Sequence, residues 1–419
     1  MTFDPQTVRE DFPALAITDD GRPRYYFDNP AGTQVPQSVI DAMADCLRGA
    51  NANLGGYFET SERADAIVAD ARDAMADFVN SSSSREIVFG QNMTTLTFHL
   101  ARSIGPELAP GDEIVLTRMD HDANVQPWRL MAQDHGLEIR WLEFDRERFE
   151  FDLDDLDDLL GPRTKLVCIA GASNLTGTVH DVATICERAK SVGALTFVDA
   201  VQSAPHVATD VQALGCDLLA CSAYKFFGPH QGILWGRREV LERFTPYKLR
   251  PVPASIPGCW ETGTLSHEGF AGTAAAVEHF ARTGRAHGGK RLDRREAIVA
   301  AFDAIVDYEQ TLSDRLVSGL QSLEGVSIQG VTAKERMPHR VPTVSFIHER
   351  ARPDTIAKLL AARNFFVWSG HNYAVEAANF LGLGDGGAVR IGAAHYNTPD
   401  EVDQLLNALE DVLPAAANG

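Results

Sequence analysis

Seven short runs of apolar residues, several of them separated by stretches with helical spacing, constrain this chain more than any other feature. The runs are 86–89 (EIVF), 113–117 (EIVLT), 138–144 (EIRWLEF), 165–170 (KLVCIA), 194–198 (ALTFV), 217–221 (DLLAC) and 232–235 (GILW). Amphipathic stretches near 63–79, 93–104, 124–135 and 181–192 fall between several of them. A strand that is apolar throughout must be covered on both faces, which points to an α/β fold with a mostly parallel sheet flanked by helices. Ligands in such sheets bind beyond the carboxyl ends of the strands.

At 419 residues the chain exceeds one ordinary domain. The pattern predicts an N-terminal arm (1–25) packing on a smaller unit, a large domain (26–298) and a small α+β domain (299–419). The small unit reads 342–347 strand, 353–363 helix, 364–368 strand, 388–393 strand and 398–411 helix. The Gly-bearing basic segment 281–302 reads as a connection, with a long helix from about 299 to 323.

Lys and Arg total 38 against 58 Asp and Glu, a net charge of −20. Such a surface disfavours nucleic acid and anionic membranes and leaves a small molecule as the expected ligand. No apolar run approaches the ~20 residues of a membrane span, and MTFDPQTVREDFPAL lacks the pattern of a signal peptide. The six cysteines show no CxxC spacing and read as reduced core thiols, so a cytoplasmic location is expected.

The chemistry concentrates between Phe197 and Gly236. Asp199 closes one apolar run, Gln202 follows, and Lys225 comes after the next run, behind Ser222 and Tyr224. An acid and a lysine at neighbouring strand ends suit pyridoxal 5'-phosphate (PLP). The carboxylate pairs with the pyridinium nitrogen and the lysine forms a Schiff base with the aldehyde. A buried lysine also has a depressed pKa, which makes it a nucleophile and a base. His121, just after 113–117, is placed to stack on the cofactor or shuttle a proton, unless it is simply a hydrogen-bonded structural residue. Asn174 offers an amide to cofactor or substrate, or else forms an Asx-turn. Thr94, opening a helix, and Ser222 are candidates for the phosphate. Arg390 is embedded in an apolar strand and needs an anionic partner, either a substrate α-carboxylate or an internal acid.

Taken together, these residues resemble the class V aminotransferase family of fold-type I PLP enzymes, most closely its cysteine desulfurase and selenocysteine lyase branch. The likeness runs from YFDNPAGTQVP (26–36) to VRIGAAHYNTPDEV (389–402) and includes MDHDANVQPW, SNLTG, the D-x-x-Q block and the SxxK block. It implies Lys225 as the Schiff-base lysine, Asp199 as partner of the ring nitrogen and Gln202 at the 3-oxygen. His121 would stack on the ring, Asn174 would touch cofactor or substrate, and Arg390 would bind the substrate carboxylate near Ala31. Thr94 and Ser222 would hold the phosphate, with Tyr224 replacing the family's histidine there. WETGT (260–264) is similar to the segment that crosses to the neighbouring subunit, which implies a homodimer with shared active sites and Thr264 as a phosphate ligand in trans.

One departure bears on the reaction. Desulfurases carry a cysteine nucleophile on the loop that matches 368–382, and here Tyr373 stands in its place; no cysteine follows Cys259. The expected chemistry is therefore C–S or C–Se lyase (β-elimination) action on a small amino acid whose β-substituent leaves without a thiolate's help. His371 and Tyr373 would cover that leaving group. A transaminase or epimerase of the same fold, or a scaffold that has lost catalysis, are the alternatives. A metal hydrolase built on His121 and Asp122 has no metal-ligand spacing to support it, so no metal is expected.

Overall fold

The computed structural model describes residues 3–418; residues 1, 2 and 419 of the expected arm and small domain lie outside them. All seven apolar runs form one sheet. Its strands are β1 (Ile87–Gly90), β2 (Glu113–Thr117), β3 (Glu138–Leu142), β4 (Thr164–Ala170), β5 (Leu195–Asp199), β6 (Leu218–Ser222) and β7 (Gly232–Gly236). The order is β1-β7-β6-β5-β4-β2-β3, with β7 antiparallel to both neighbours and the pairs from β6 to β3 parallel. Alternate residues of one strand feed two cores. In β5, Phe197 joins one cluster with Trp128 and Leu218, while Val198 joins the other with Ile169 and Leu219. This two-sided burial is what the unbroken apolar runs require.

Helices cover both faces. The ones that matter here are α1 (Gln37–Gly49), α2 (Glu59–Val79), α3 (Met93–Ile104), α4 (Gln126–His135), α5 (Val182–Ser191), α6 (His267–Gly288) and α7 (Arg294–Ser322). The segment 281–302 corrects the expectation of a connection: only Gly289–Asp293 lies between two long helices, α6 and α7, which pack along one another. Its glycines serve close packing. A Cβ on Gly284 would collide with the Ala297 carbonyl, and one on Gly288 would lie 3.0 Å from Ala300 Cβ. The turn ends in a capping box, in which Asp293 accepts from Glu296 N–H and Glu296 returns the bond.

The long helix α7 links two cores. Ile298, Phe302 and Ile305 pack under the large sheet, whereas Leu312, Leu316 and Leu320 pack under a second, antiparallel sheet. That sheet comprises β8 (Val326–Gln329), β9 (Thr343–His348), β10 (Trp368–Gly370) and β11 (Ala388–Gly392), in the order β8-β9-β11-β10. The expected strand at 364–368 divides: Phe365–Phe366 pairs instead with Tyr25–Tyr26 of the N-terminal arm. The arm is further held by Arg9, whose guanidinium pairs with Glu401 at 2.8 Å. No helix among the described residues is long and apolar enough to cross a membrane.

Gly284→Ala tests the helix contact. Helix propensity alone would favour alanine by about 1 kcal/mol, yet the clash with Ala297 should reverse the sign. We expect a net destabilisation of roughly 2 kcal/mol or more, read as a lower urea midpoint. An unchanged or raised midpoint would contradict the packing described.

Candidate active site

The parallel strands of the large sheet end on one side, and the polar residues that follow them converge there. Thr94, His121, Asn174, Asp199, Gln202, Ser222, Tyr224 and Lys225 line a single pocket. Arg390 enters from β11 of the second sheet, with Nη1 donating to the Asn174 carbonyl at 3.1 Å. On β11 the neighbouring Val389 and Ile391 face the small core, so strand alternation turns Arg390 to the opposite side.

Lys225 Nζ donates to the Pro30 carbonyl. Burial, reinforced by the Arg390 charge, pulls the amine from its usual 10.5 down to about 7, against the opposing pull of Asp28 and Asp199. Asp199 Oδ1 accepts from Val201 N–H at 2.8 Å, and burial pushes its carboxyl up to about 6. Oδ2 has no hydrogen-bond partner among the described residues. His121 Nδ1 accepts from Ala123 N–H at 3.0 Å, so the neutral ring carries its proton on Nε2. Burial, with Lys225, Arg390 and His371 nearby, lowers its pKa to about 3 and keeps it neutral.

The turn bearing His121 is fixed by Asp120, which the sequence reading passed over. Asp120 is buried and accepts from Thr117 Oγ1 (2.8 Å), Ala170 N–H (3.0 Å) and Asn124 Nδ2 (2.7 Å), strapping the turn to the end of β4. An acid beside a strand-end histidine was its only signal in the sequence.

The remaining expected residues fall into place unevenly. Ser222 Oγ accepts from Met93 N–H at the start of α3, and Thr94 makes no hydrogen bond among the described residues through its hydroxyl or N–H. Gln202 Nε2 donates to Thr343 Oγ1 at 3.1 Å, tying the pocket to the second sheet. Tyr224 stacks on His230 at 4.8 Å between ring centres. Asn174 donates to the Asn372 carbonyl at 2.7 Å, and its buried Oδ1 is unpartnered. Tyr373 stacks on His121 at 5.4 Å, while its carbonyl accepts from Asp122 N–H at 2.7 Å. Asn372 and Tyr373 are both left-handed (φ 52° and 58°), and the exposed His371 accepts from Tyr373 N–H through Nδ1. Ala31 is exposed in a turn closed by its N–H on the Asp28 carbonyl. Thr264 is not brought to the pocket; it lines a separate groove with Leu54 and Leu249.

These groups fit PLP. The unpaired Asp199 oxygen suits a pyridinium N–H, and the free donors at the α3 start suit a phosphate. No described thiol joins them: the six cysteines are free and buried, and none lines the pocket. Among the described residues no cluster could hold a metal ion.

The chain is similar to known proteins along nearly its whole length. The family model for Aminotransferase class-V matches residues 25–405. A probable cysteine desulfurase of Streptomyces coelicolor is 32% identical over 98% of this chain and 97% of its own length. Another from Mycolicibacterium paratuberculosis is 33% identical over 99% of this chain, which spans 59% of that longer protein. The apo cysteine desulfurase structure from Thermococcus onnurineus NA1 superposes with a TM-score of 0.87 at 28% identity, covering 99% of this chain and 100% of that one.

The electrostatics of Lys225 can be read in the PLP-free protein by NMR of isotopically dimethylated lysines. One resonance should titrate near pH 7, well below the others. Arg390→Gln should raise that midpoint and Asp28→Asn should lower it, because the first removes a repelling cation and the second an attracting anion. A midpoint near 10 that neither change moves would contradict the charge balance.

Proposed function

This chain belongs to the class-V aminotransferase family of PLP-dependent enzymes, and we propose that it eliminates a β-substituent from a small amino acid by breaking a C–S or C–Se bond, without a cysteine nucleophile. The observation that carries this reading is a buried lysine amine, held well below its usual pKa, that lines one pocket with an aspartate whose Oδ2 is unpaired, while no described thiol lines that pocket.

Asp199 would hold the ring nitrogen of PLP through Oδ2, Gln202 would approach the 3-oxygen, and Thr94 and Ser222 would hold the phosphate. When bound, PLP supplies an electron sink for the bonding pair left at Cα. Arg390 orients the substrate carboxylate and so directs the Cα–H toward Lys225. With a pKa of about 7, the Lys225 amine has its lone pair available at neutral pH and takes that proton. The β-substituent then departs from Cβ with the bonding pair, and water converts the remaining three-carbon unit to pyruvate and ammonia. Tyr373, over His121, would protonate the departing sulfur. The six thiols are buried, and burial raises the pKa of each. They are therefore unsuited to accept sulfur as a persulfide.

The proposal includes a homodimer in which the partner subunit's Thr264 reaches the phosphate. Leu54, Tyr57, Phe58, Tyr247 and Leu249 are exposed large side chains, and two of them border the Thr264 groove, as a second copy would require.

The test is product analysis with S-phenyl-L-cysteine and S-methyl-L-cysteine. Pyruvate, ammonia and free thiol should appear in equal amounts, and Lys225→Ala should reduce turnover roughly a thousandfold. Tyr373→Phe should slow release of the poorer methanethiol leaving group about a hundredfold and spare thiophenol. Unchanged turnover of S-methyl-L-cysteine in that variant would remove the donor role. A keto acid formed with loss of the aldehyde form of the cofactor would replace elimination by transamination. The active species should sediment as a dimer; a fully active monomer would refute the shared site.

A further inference from the structure

The turn Asp28–Ala31 faces both cations of the pocket. Its position is fixed by Asn29, which is buried. Asn29 Nδ2 donates to the carbonyls of Gly392 (2.7 Å) and Tyr26 (3.1 Å) and to Asn397 Oδ1 (3.1 Å), while Oδ1 accepts from Tyr396 Oη. Gly392 N–H returns a bond to Phe27 O at 2.6 Å, and a Cβ on Gly392 would collide with the Pro30 ring. The turn is thus pressed on the end of β11, two residues beyond Arg390. From there the Pro30 carbonyl receives Lys225 Nζ, and Asp28 Oδ1 lies 3.4 Å from Arg390 Nη2.

This acid–guanidinium pair is incomplete. A distance of 3.4 Å exceeds the usual N–H···O range. Arg390 Nε is buried without a partner, and the fork that binds a carboxylate in bidentate fashion is not filled by Asp28. Asp28 and Asp199 are the two acids whose charges reach Lys225. Asp199 serves the ring nitrogen in the proposed function, which leaves Asp28.

An amino acid enters as a zwitterion. Its carboxylate goes to Arg390, and its nitrogen must come close to the atom Lys225 holds. With only Arg390 and Lys225 beside it, an ammonium group would be repelled. We propose that Asp28 receives the α-ammonium group of the substrate, so that Arg390 and Asp28 together read carboxylate and ammonium and select amino acids over carboxylic acids lacking the amine. This assignment rests on the amino-acid reading of the site above, though not on the fate of the β-substituent.

The experiment compares L-alanine with propionate on the PLP-loaded enzyme. Dissociation constants come from the visible spectrum, directly for alanine and by competition for propionate. In Asp28→Asn, alanine should bind at least tenfold more weakly while propionate binds equally or more tightly, and Asp28→Glu should recover part of the loss. Equal weakening of both ligands would overturn the assignment in favour of a structural role. Equal tightening would overturn it too, and make Asp28 a placeholder for the substrate carboxylate. If S-phenyl-L-cysteine gives no pyruvate while the alanine–propionate discrimination persists, β-elimination fails and the Asp28 assignment stands.

Discussion

An amine held well below its ordinary pKa is the condition on which the rest of this structure depends. Lys225 meets it through its neighbours. Burial removes the water that would stabilise the ammonium form, and Arg390 adds a second positive charge, while Asp28 and Asp199 limit the effect. Each of these groups is carried by a different piece of backbone: Lys225 follows β6, Asp199 ends β5, Arg390 lies in β11, and Asp28 belongs to the N-terminal segment. The fold's task is to hold Asp28, Asp199 and Arg390 where their charges reach Lys225. The parallel sheet places Asp199 and Lys225, and the second sheet, clamped on by Asn29 and Gln202, places the others.

The same arrangement explains why the loop at 371–373 takes the form it does. In a desulfurase this loop presents a thiolate. Here its main-chain carbonyls are tied to Asn174 and Asp122, and the Tyr373 ring stacks on His121. Glu376, just beyond, pairs with Arg118 and, at 3.6 Å, with Arg129. Two successive left-handed residues cost backbone energy, on the order of 1 kcal/mol each. The loop's hydrogen bonds and ion pairs offset that cost and hold its main chain beside His121 and Asn174. A phenol stacked over the histidine suits proton donation to a leaving group better than it suits carriage of sulfur.

Much of this was legible in the sequence, for identifiable reasons. The seven strands were visible because burial on both faces leaves no polar alternation to confuse the period. Lys225 and Asp199 stood out because a charge at the end of an apolar run needs a partner. The helix hairpin α6–α7 was hidden because Gly284 and Gly288, which signal breaks in an isolated helix, here permit close contact with Ala297 and Ala300. The division of the strand expected at 364–368 was hidden because the partner of Phe365–Phe366, Tyr25–Tyr26, lies more than three hundred residues away. Asp28 and Asp120 escaped notice because their roles come from distant groups, Arg390 and the Ala170 N–H, that nothing in the local pattern reveals. Thr264 illustrates a different limit: its expected role needs a second chain.

The most direct test of the account is to load the purified protein with PLP, reduce it with borohydride and map the modified peptide by mass spectrometry. The account predicts one pyridoxyl-phosphate adduct per chain, on Lys225, with no other lysine labelled. An adduct on a different lysine, or none at all, would contradict the claim that the pocket at the carboxyl ends of the parallel strands is the site of chemistry.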